Sequence, residues 1–203
     1  MIFYEPQGRD KSLLPHDPFK ALIAPRPIGW ISTLSRAGAV NLAPYSFFNA
    51  ICDQPPMVVF SSNGKKDSVT FAEESGEFVW NMATFALREQ MNATAASLPR
   101  GESEFAFAKL AMAPSRCVAP PRVAASPASL ECKVSGVFRL KDVTGAATEN
   151  YLVFGQVVGV HIDEVFIKNG IVDTAAMQPI ARCGYMDYVV VDELFALARP
   201  PQA

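Results

Sequence analysis

The stretch Asn41-Leu42-Ala43-Pro44-Tyr45-Ser46-Phe47-Phe48-Asn49 fits neither a regular central strand nor a solvent loop. Pro44 lacks the N–H that a central strand needs, and Tyr45, Phe47 and Phe48 place three rings where a solvated turn would carry small polar groups. Such a segment either lays its amides and rings along a planar heterocycle or plugs the end of a barrel. The residues leave both readings open.

Outward from this stretch the chain reads as strands bounded by turn chemistry. Residues 28–34 (IGWISTL), a turn at 35–39 and residues 40–43 form a hairpin. Residues 57–61 (MVVFS), between Pro55-Pro56 and Ser62-Asn63-Gly64, predict a buried strand, as do residues 78–82. Residues 130–140 alternate in character, and residues 151–162 make a run long enough for a coiled barrel strand. A last strand is expected at 188–191. Helices are predicted at 67–74, opened by the capping residue Asp67, and at 85–96. Residues 97–127, rich in proline and small side chains, read as an excursion across the surface or a neighbouring subunit. Six or more strands and two helices without βα alternation give a mainly β (α+β) barrel, in one domain spanning residues 1–203. Neither GxGxxG nor GxxxxGK[ST] occurs, so the usual nucleotide loops are absent.

Composition narrows the function classes. Half the 203 residues are hydrophobic and 19% are charged, which excludes disorder and points to apolar surface covered by a ligand or a second subunit. A formal charge of −2 without a Lys/Arg block offers no field for a phosphate backbone, so no nucleic-acid partner is expected. Cys52, Cys117, Cys132 and Cys183 form no CxxC, and His16 and His161 lie far from them, so no metal site is expected. The first 17 residues lack the basic start and apolar run of a signal peptide, and no stretch is apolar enough to cross a membrane. A cytoplasmic protein is the expectation.

Three further places could carry chemistry. Ser61-Ser62-Asn63-Gly64-Lys65-Lys66-Asp67-Ser68 joins a strand to a helix start and combines hydroxyls, ammonium groups and free amides, the ingredients of a phosphate monoester site. Lys66 and Ser68 would touch the phosphate, and Asp67 would cap the helix or orient a lysine; a merely solvated turn is the alternative. Arg26, held between Pro25 and Pro27 before a strand, could clamp a phosphate or a ring carbonyl, or form a surface ion pair. Of Ser32 and Thr33, on opposite faces of that strand, at most one would meet a given ligand. His161 shares a strand face with Gly155 and Gly159, which would leave space above the sheet for a ligand edge or a second subunit; a structural histidine is the alternative.

These stretches, in this order, resemble the flavin reductase-like family of FMN-binding split barrels. The likeness runs through APRPIGWIST, NLAPYSFFNA, PPMVVFSSNGKKDS, GEFVWNMAT, PSRCVAPPRVAASPASLEC, FGQVVGVHI and PIARCGYMDY. It implies a Greek-key-like six-stranded barrel with a few flanking helices, and a homodimer with FMN near the interface. It also implies that Thr33 and the loop Tyr45-Ser46-Phe47-Phe48-Asn49 border the ring and ribityl chain, and that Ser61, Ser62, Lys66, Asp67 and Ser68 lie on the phosphate side. His161 and Arg182 would lie near the flavin or the partner subunit. Three departures stand out: Ser68 where threonine is commoner, Phe71 where many relatives have asparagine, and Cys183 and Tyr185 in place of the usual RLGG. The implied activity is reduction of FMN by NADH or NADPH, with reduced flavin or electrons passed to an oxygenase or another acceptor. No catalytic acid or base is required, and His161 is a candidate only for the nicotinamide side. A flavoredoxin-type electron carrier and a non-enzymatic flavin-binding protein are the alternatives.

Overall fold

In the computed structural model, which describes residues 1–99 and 102–200, seven strand segments form one antiparallel sheet. They are β1 (Gly29–Leu34), β2 (Val40–Tyr45), β3 (Phe48–Asp53), β4 (Pro56–Asn63), β5 (Glu77–Asn81), β6 (Ala128–Lys141) and β7 (Ala147–Ile162). Their order across the sheet is β2-β1-β5-β6-β7-β4-β3. The two edges are therefore consecutive in sequence, joined only by Ser46 and Phe47. At that bend the Ser61 amide donates to the Phe47 carbonyl at 2.8 Å and the Tyr45 ring lies 5.0 Å from that of Phe60. The bent run β2–β3 thus crosses from one edge to the other, and six passages of chain make the split barrel. Pro44 sits in an edge strand, where its missing N–H breaks no ladder. The sequence marked residues 41–49 as irregular but showed neither the bend nor the strand beyond it.

Two cores flank β1. Ile31, Val58, Phe60, Phe78, Cys132 and Val153 fill the barrel, and Val69 and Ala72 of the Asp67–Ser75 helix pack against them. Ile28, Trp30 and Leu42 turn the other way, against Met91 and Phe105. Both faces of β1 are covered, so Trp30 to Thr33 are all buried, without the polar alternation of a half-exposed strand. Burial in the barrel pushes the Cys132 thiol up to about 12, which leaves it an inert apolar filler.

The proline-rich excursion is stitched to the barrel. It contributes a short helix, Glu104–Phe107, and a strand pair, Met112–Ala113 with Arg122–Val123. Ser32 Oγ donates to the Pro121 carbonyl at 2.5 Å, and the Val123 amide donates to Asn81 Oδ1 at 2.8 Å. Part of it, Arg100 and Gly101, lies outside the described residues. The helix expected at 85–96 is a 3₁₀ turn, Phe85–Leu87, running into Arg88–Ala93. The strand expected at 188–191 belongs to a separate small sheet with Arg26–Pro27 and Ile180–Arg182.

Candidate functional site beside the strand bend

Two adjoining clefts of about 550 and 270 Å³ meet at Pro44 and Ala95. Asn41, Tyr45, Lys66, Asp67, Ser68 and Thr94 line the larger, and Lys20, Arg26, Ser46, Arg182 and Tyr185 the smaller. The bend after β2 carries Tyr45 and Ser46 there. Burial of Val69 and Ala72 fixes the helix whose first turn supplies Lys66, Asp67 and Ser68.

The floor of the larger cleft is a chain of hydroxyls. The β1–β2 register sets Thr33 opposite Asn41, whose Nδ2 donates to Thr33 Oγ1 at 3.3 Å and to Ser68 Oγ at 2.7 Å. Burial raises the Tyr45 phenol above its ordinary value, against opposing hydrogen bonds with Ser68 and Ser62. It therefore stays a neutral O–H. Ser62 Oγ donates to the Gly64 carbonyl at 2.9 Å. Thr33, Ser62 and Ser68 are all buried, so they lie under the cleft surface. Asn41 was not singled out in the sequence, although the hairpin register would have placed it.

The rim differs from the floor. Lys65 is held by Glu73 at 2.5 Å, while exposed Lys66 makes no ion pair among the described residues. Lys66 itself precedes the helix as its N-cap, and Asp67, expected to cap it, stands in the first turn with no side-chain cap bond. The Val69 and Thr70 amides reach back to the Lys66 carbonyl, and those of Asp67 and Ser68, at the helix start, have no intrahelical partner.

Arg26 is neither a surface ion pair nor a free clamp. Its guanidinium donates to the carbonyls of Lys20, Ile23 and Cys183, tying the Phe19–Leu22 helix to the small sheet, while its buried Nε has no partner. Arg182 donates to the Tyr185 carbonyl and lies over the Tyr188 ring at 4.4 Å. Within the aromatic stretch the rings divide. Phe48 stacks on Trp80 at 5.8 Å and fills the space over Gly29, whereas Phe47 is exposed with Lys20 and Arg26 each 5.9 Å from its centre. Ser61 Oγ accepts from Asn150 Nδ2 at 3.3 Å, and Asn49 accepts from the Ala50 amide at 2.9 Å. Neither lines the two clefts.

His161 lies outside both clefts. Its Nε2 meets the buried carboxylate of Glu131, which also accepts the amides of Arg116 (2.8 Å), Cys117 (2.5 Å) and Val118 (3.1 Å). Burial raises the Glu131 carboxyl, but the bonds from His161 and the amides outweigh it and hold the group below its ordinary value. The space expected over the two glycines is filled from within. A side chain at Gly155 would run into the Phe78 ring, and one at Gly159 would press on Glu131 at 3.3 Å.

The larger cleft sets Lys66 beside the carboxylates of Asp67 and Glu104, and the smaller gathers Lys20, Arg26 and Arg182. The flavin reductase like domain matches residues 22–172, and the chain belongs to that family. It is 35% identical over 193 residues to the uncharacterized protein YwrF of Bacillus subtilis, covering 91% of this chain and 94% of that one. It is also 35% identical to the uncharacterized protein BH2278 of Halalkalibacterium halodurans, covering 88% and 87%. Among solved structures it resembles nitrilotriacetate monooxygenase component B from Bacillus cereus, with TM-score 0.87, 29% identity and coverage of 97% and 98%. Flavoredoxin of Desulfovibrio vulgaris shares the fold at TM-score 0.75, 21% identity and coverage of 86% and 91%.

Proposed function

We propose that this chain is an NAD(P)H-dependent flavin reductase that holds FMN in the joined clefts. The observation that carries the reading is Lys66, without an ion pair among the described residues, beside the helix-start amides of Asp67 and Ser68 on the cleft that Pro44, Tyr45 and Glu104 also line. An ammonium group and a helix start together suit a phosphate monoester. The donor set fits the rest of the molecule too. Arg26, whose buried Nε has no partner among the described residues, and Ser46 line the smaller cleft, which suits the polar edge of a ring.

In this reading Lys66 and the helix start hold the phosphate, and Ser68, Tyr45 and Asn41 support it from beneath. Thr33 acts through Asn41, and Ser61 and Ser62 shape the strand that presents the loop. Ser46 and the backbone around Phe47 border the ring, Phe48 and Asn49 fix the bend, and Arg26 and Arg182 close the far end. Bound FMN supplies the hydride-accepting ring, which no side chain here replaces. The protein contributes alignment and exclusion of water.

Similarity to a monooxygenase component B supports an oxygenase as the recipient of reduced flavin or electrons. A homodimer is supported by exposed Val158, Val160 and Ile162 on one face of β7, with exposed Phe138 on β6. Free cysteines, Cys52 and Cys117 exposed among them, suit a reducing cytoplasm. Among the described residues no helix is long and apolar enough to cross a membrane.

The test is anaerobic titration of the FMN-loaded protein with NADH and with NADPH, followed by visible absorption. Bleaching of the flavin band by either nucleotide is expected. Bleaching by dithionite alone would replace the reductase with an electron carrier, and failure to take up FMN would overturn the cofactor assignment.

A further inference from the structure

We infer that the cavity next to the proposed flavin cleft is a second ligand site, for a flat aromatic ring bearing an anionic group. The inference rests on the cleft assignment only for its functional meaning; its geometry stands alone. This cavity, of about 330 Å³, joins the smaller cleft through Asn92, Arg182 and Tyr188, which line both. Its size is at the lower end for small-molecule sites.

Its chemistry comes in paired layers. Arg88 lies over the Phe85 ring at 4.1 Å and Arg182 over the Tyr188 ring at 4.4 Å, so each guanidinium rests against an aromatic face. Arg88 also donates to the Phe85 carbonyl at 2.8 Å, which fixes the side chain while leaving other N–H groups unspent. Buried Met91 and Ile180 form an apolar floor, and Met186, which is exposed, lines the same cavity.

The charge balance selects the ligand. Glu89, 3.5 Å from Arg88 Nε, is the one carboxylate lining either the cavity or the smaller cleft, against Lys20, Arg26, Arg88 and Arg182. A cation would face net repulsion, and a neutral ring would leave the remaining guanidinium N–H groups without an acceptor. An aromatic anion uses both the apolar floor and these groups. Two sources carry that chemistry: the phosphorylated adenosine end of a dinucleotide electron donor, and a free aromatic carboxylate that receives electrons from the flavin.

Calorimetric titration of the protein, with and without FMN, by adenosine 2′-phosphate and by benzoate separates them. Binding of one probe, weakened about 5- to 50-fold by Arg88→Ala as expected for loss of a charge-assisted contact, supports the site and names its source. Arg88→Lys should restore only part, because the planar fork is lost. Binding of neither probe, or binding that Arg88→Ala leaves unchanged, overturns the proposal. These outcomes do not depend on nicotinamide oxidation, so the site can fail while the reductase reading stands, and the reverse.

Discussion

Two polar clusters lie within or against the barrel wall, and they differ in what their groups still have to give. At Glu131 and His161 a buried carboxylate takes up an imidazole and three backbone amides, and the neighbouring glycines are packed by Phe78 and by Glu131 itself. There the carboxylate is fully used, latching residues 116–118 to β6, and only the His161 ring faces a separate cleft, of about 350 Å³, with Arg116 and Arg122. At the strand bend, Thr33, Asn41, Ser68 and Tyr45 also satisfy one another, but above them Lys66, without an ion pair among the described residues, and two helix-start amides without an intrahelical partner stand beside a cleft. A site is marked by leftover bonding capacity next to space, whereas polar residues in a core mark only that they have partners.

The largest expected effect breaks the Glu131 cluster. Glu131→Ala should lower stability by about 3–5 kcal/mol, because it strands three amides and a histidine. Its pH dependence has a defined sign. The Glu131 carboxyl is held below its ordinary 4.5 in the folded protein, so its stabilising contribution is complete above that value and is lost as pH falls through the lower folded value. Thermal melts of wild type and variant should therefore lie far apart at neutral pH and converge in acid; a constant gap would refute the latch as an ionised group.

Lys66→Ala sharpens the open cluster. FMN affinity should fall about 10- to 100-fold, the size of a lost charge-assisted phosphate contact, with the melting temperature of the flavin-free protein unchanged. Fluorescence titration and a parallel melt check both halves. A drop in stability without a change in affinity would move Lys66 from ligand binding to structure.

The smallest effect concerns turnover in His161→Gln. Oxidation of NADH or NADPH per bound flavin should stay within about threefold of wild type, since an acid–base role would cost about 100-fold or more. A loss of that size would mean that the Glu131 cluster opens onto the reacting ligand after all, most simply across a subunit interface.

Much of this was legible in the chain. Alternation and turn residues located six of the seven segments of the main sheet, and the helix at Asp67–Ser75 followed from its polar, acidic start and the glycine after it. Strand β3 was hidden because Phe48 to Asp53 lie at the sheet edge with mostly exposed side chains, which leaves no period-2 signal. The groups that hold Arg26 and His161 were hidden in part by sequence distance. The Cys183 carbonyl and Glu131 lie 157 and 30 residues away in sequence.

The sequence by itself determined most of the strand pattern, the family and the loop that carries lysines before a helix start, because these depend on local periodicity and on groups close together in the chain. Only the tertiary structure decided which polar groups were already satisfied. Hydrogen-bond capacity is a sum over all neighbours in space, and the fold alone brings Asn41 to Ser68, Arg26 to Cys183 and Glu131 to the amides of residues 116–118.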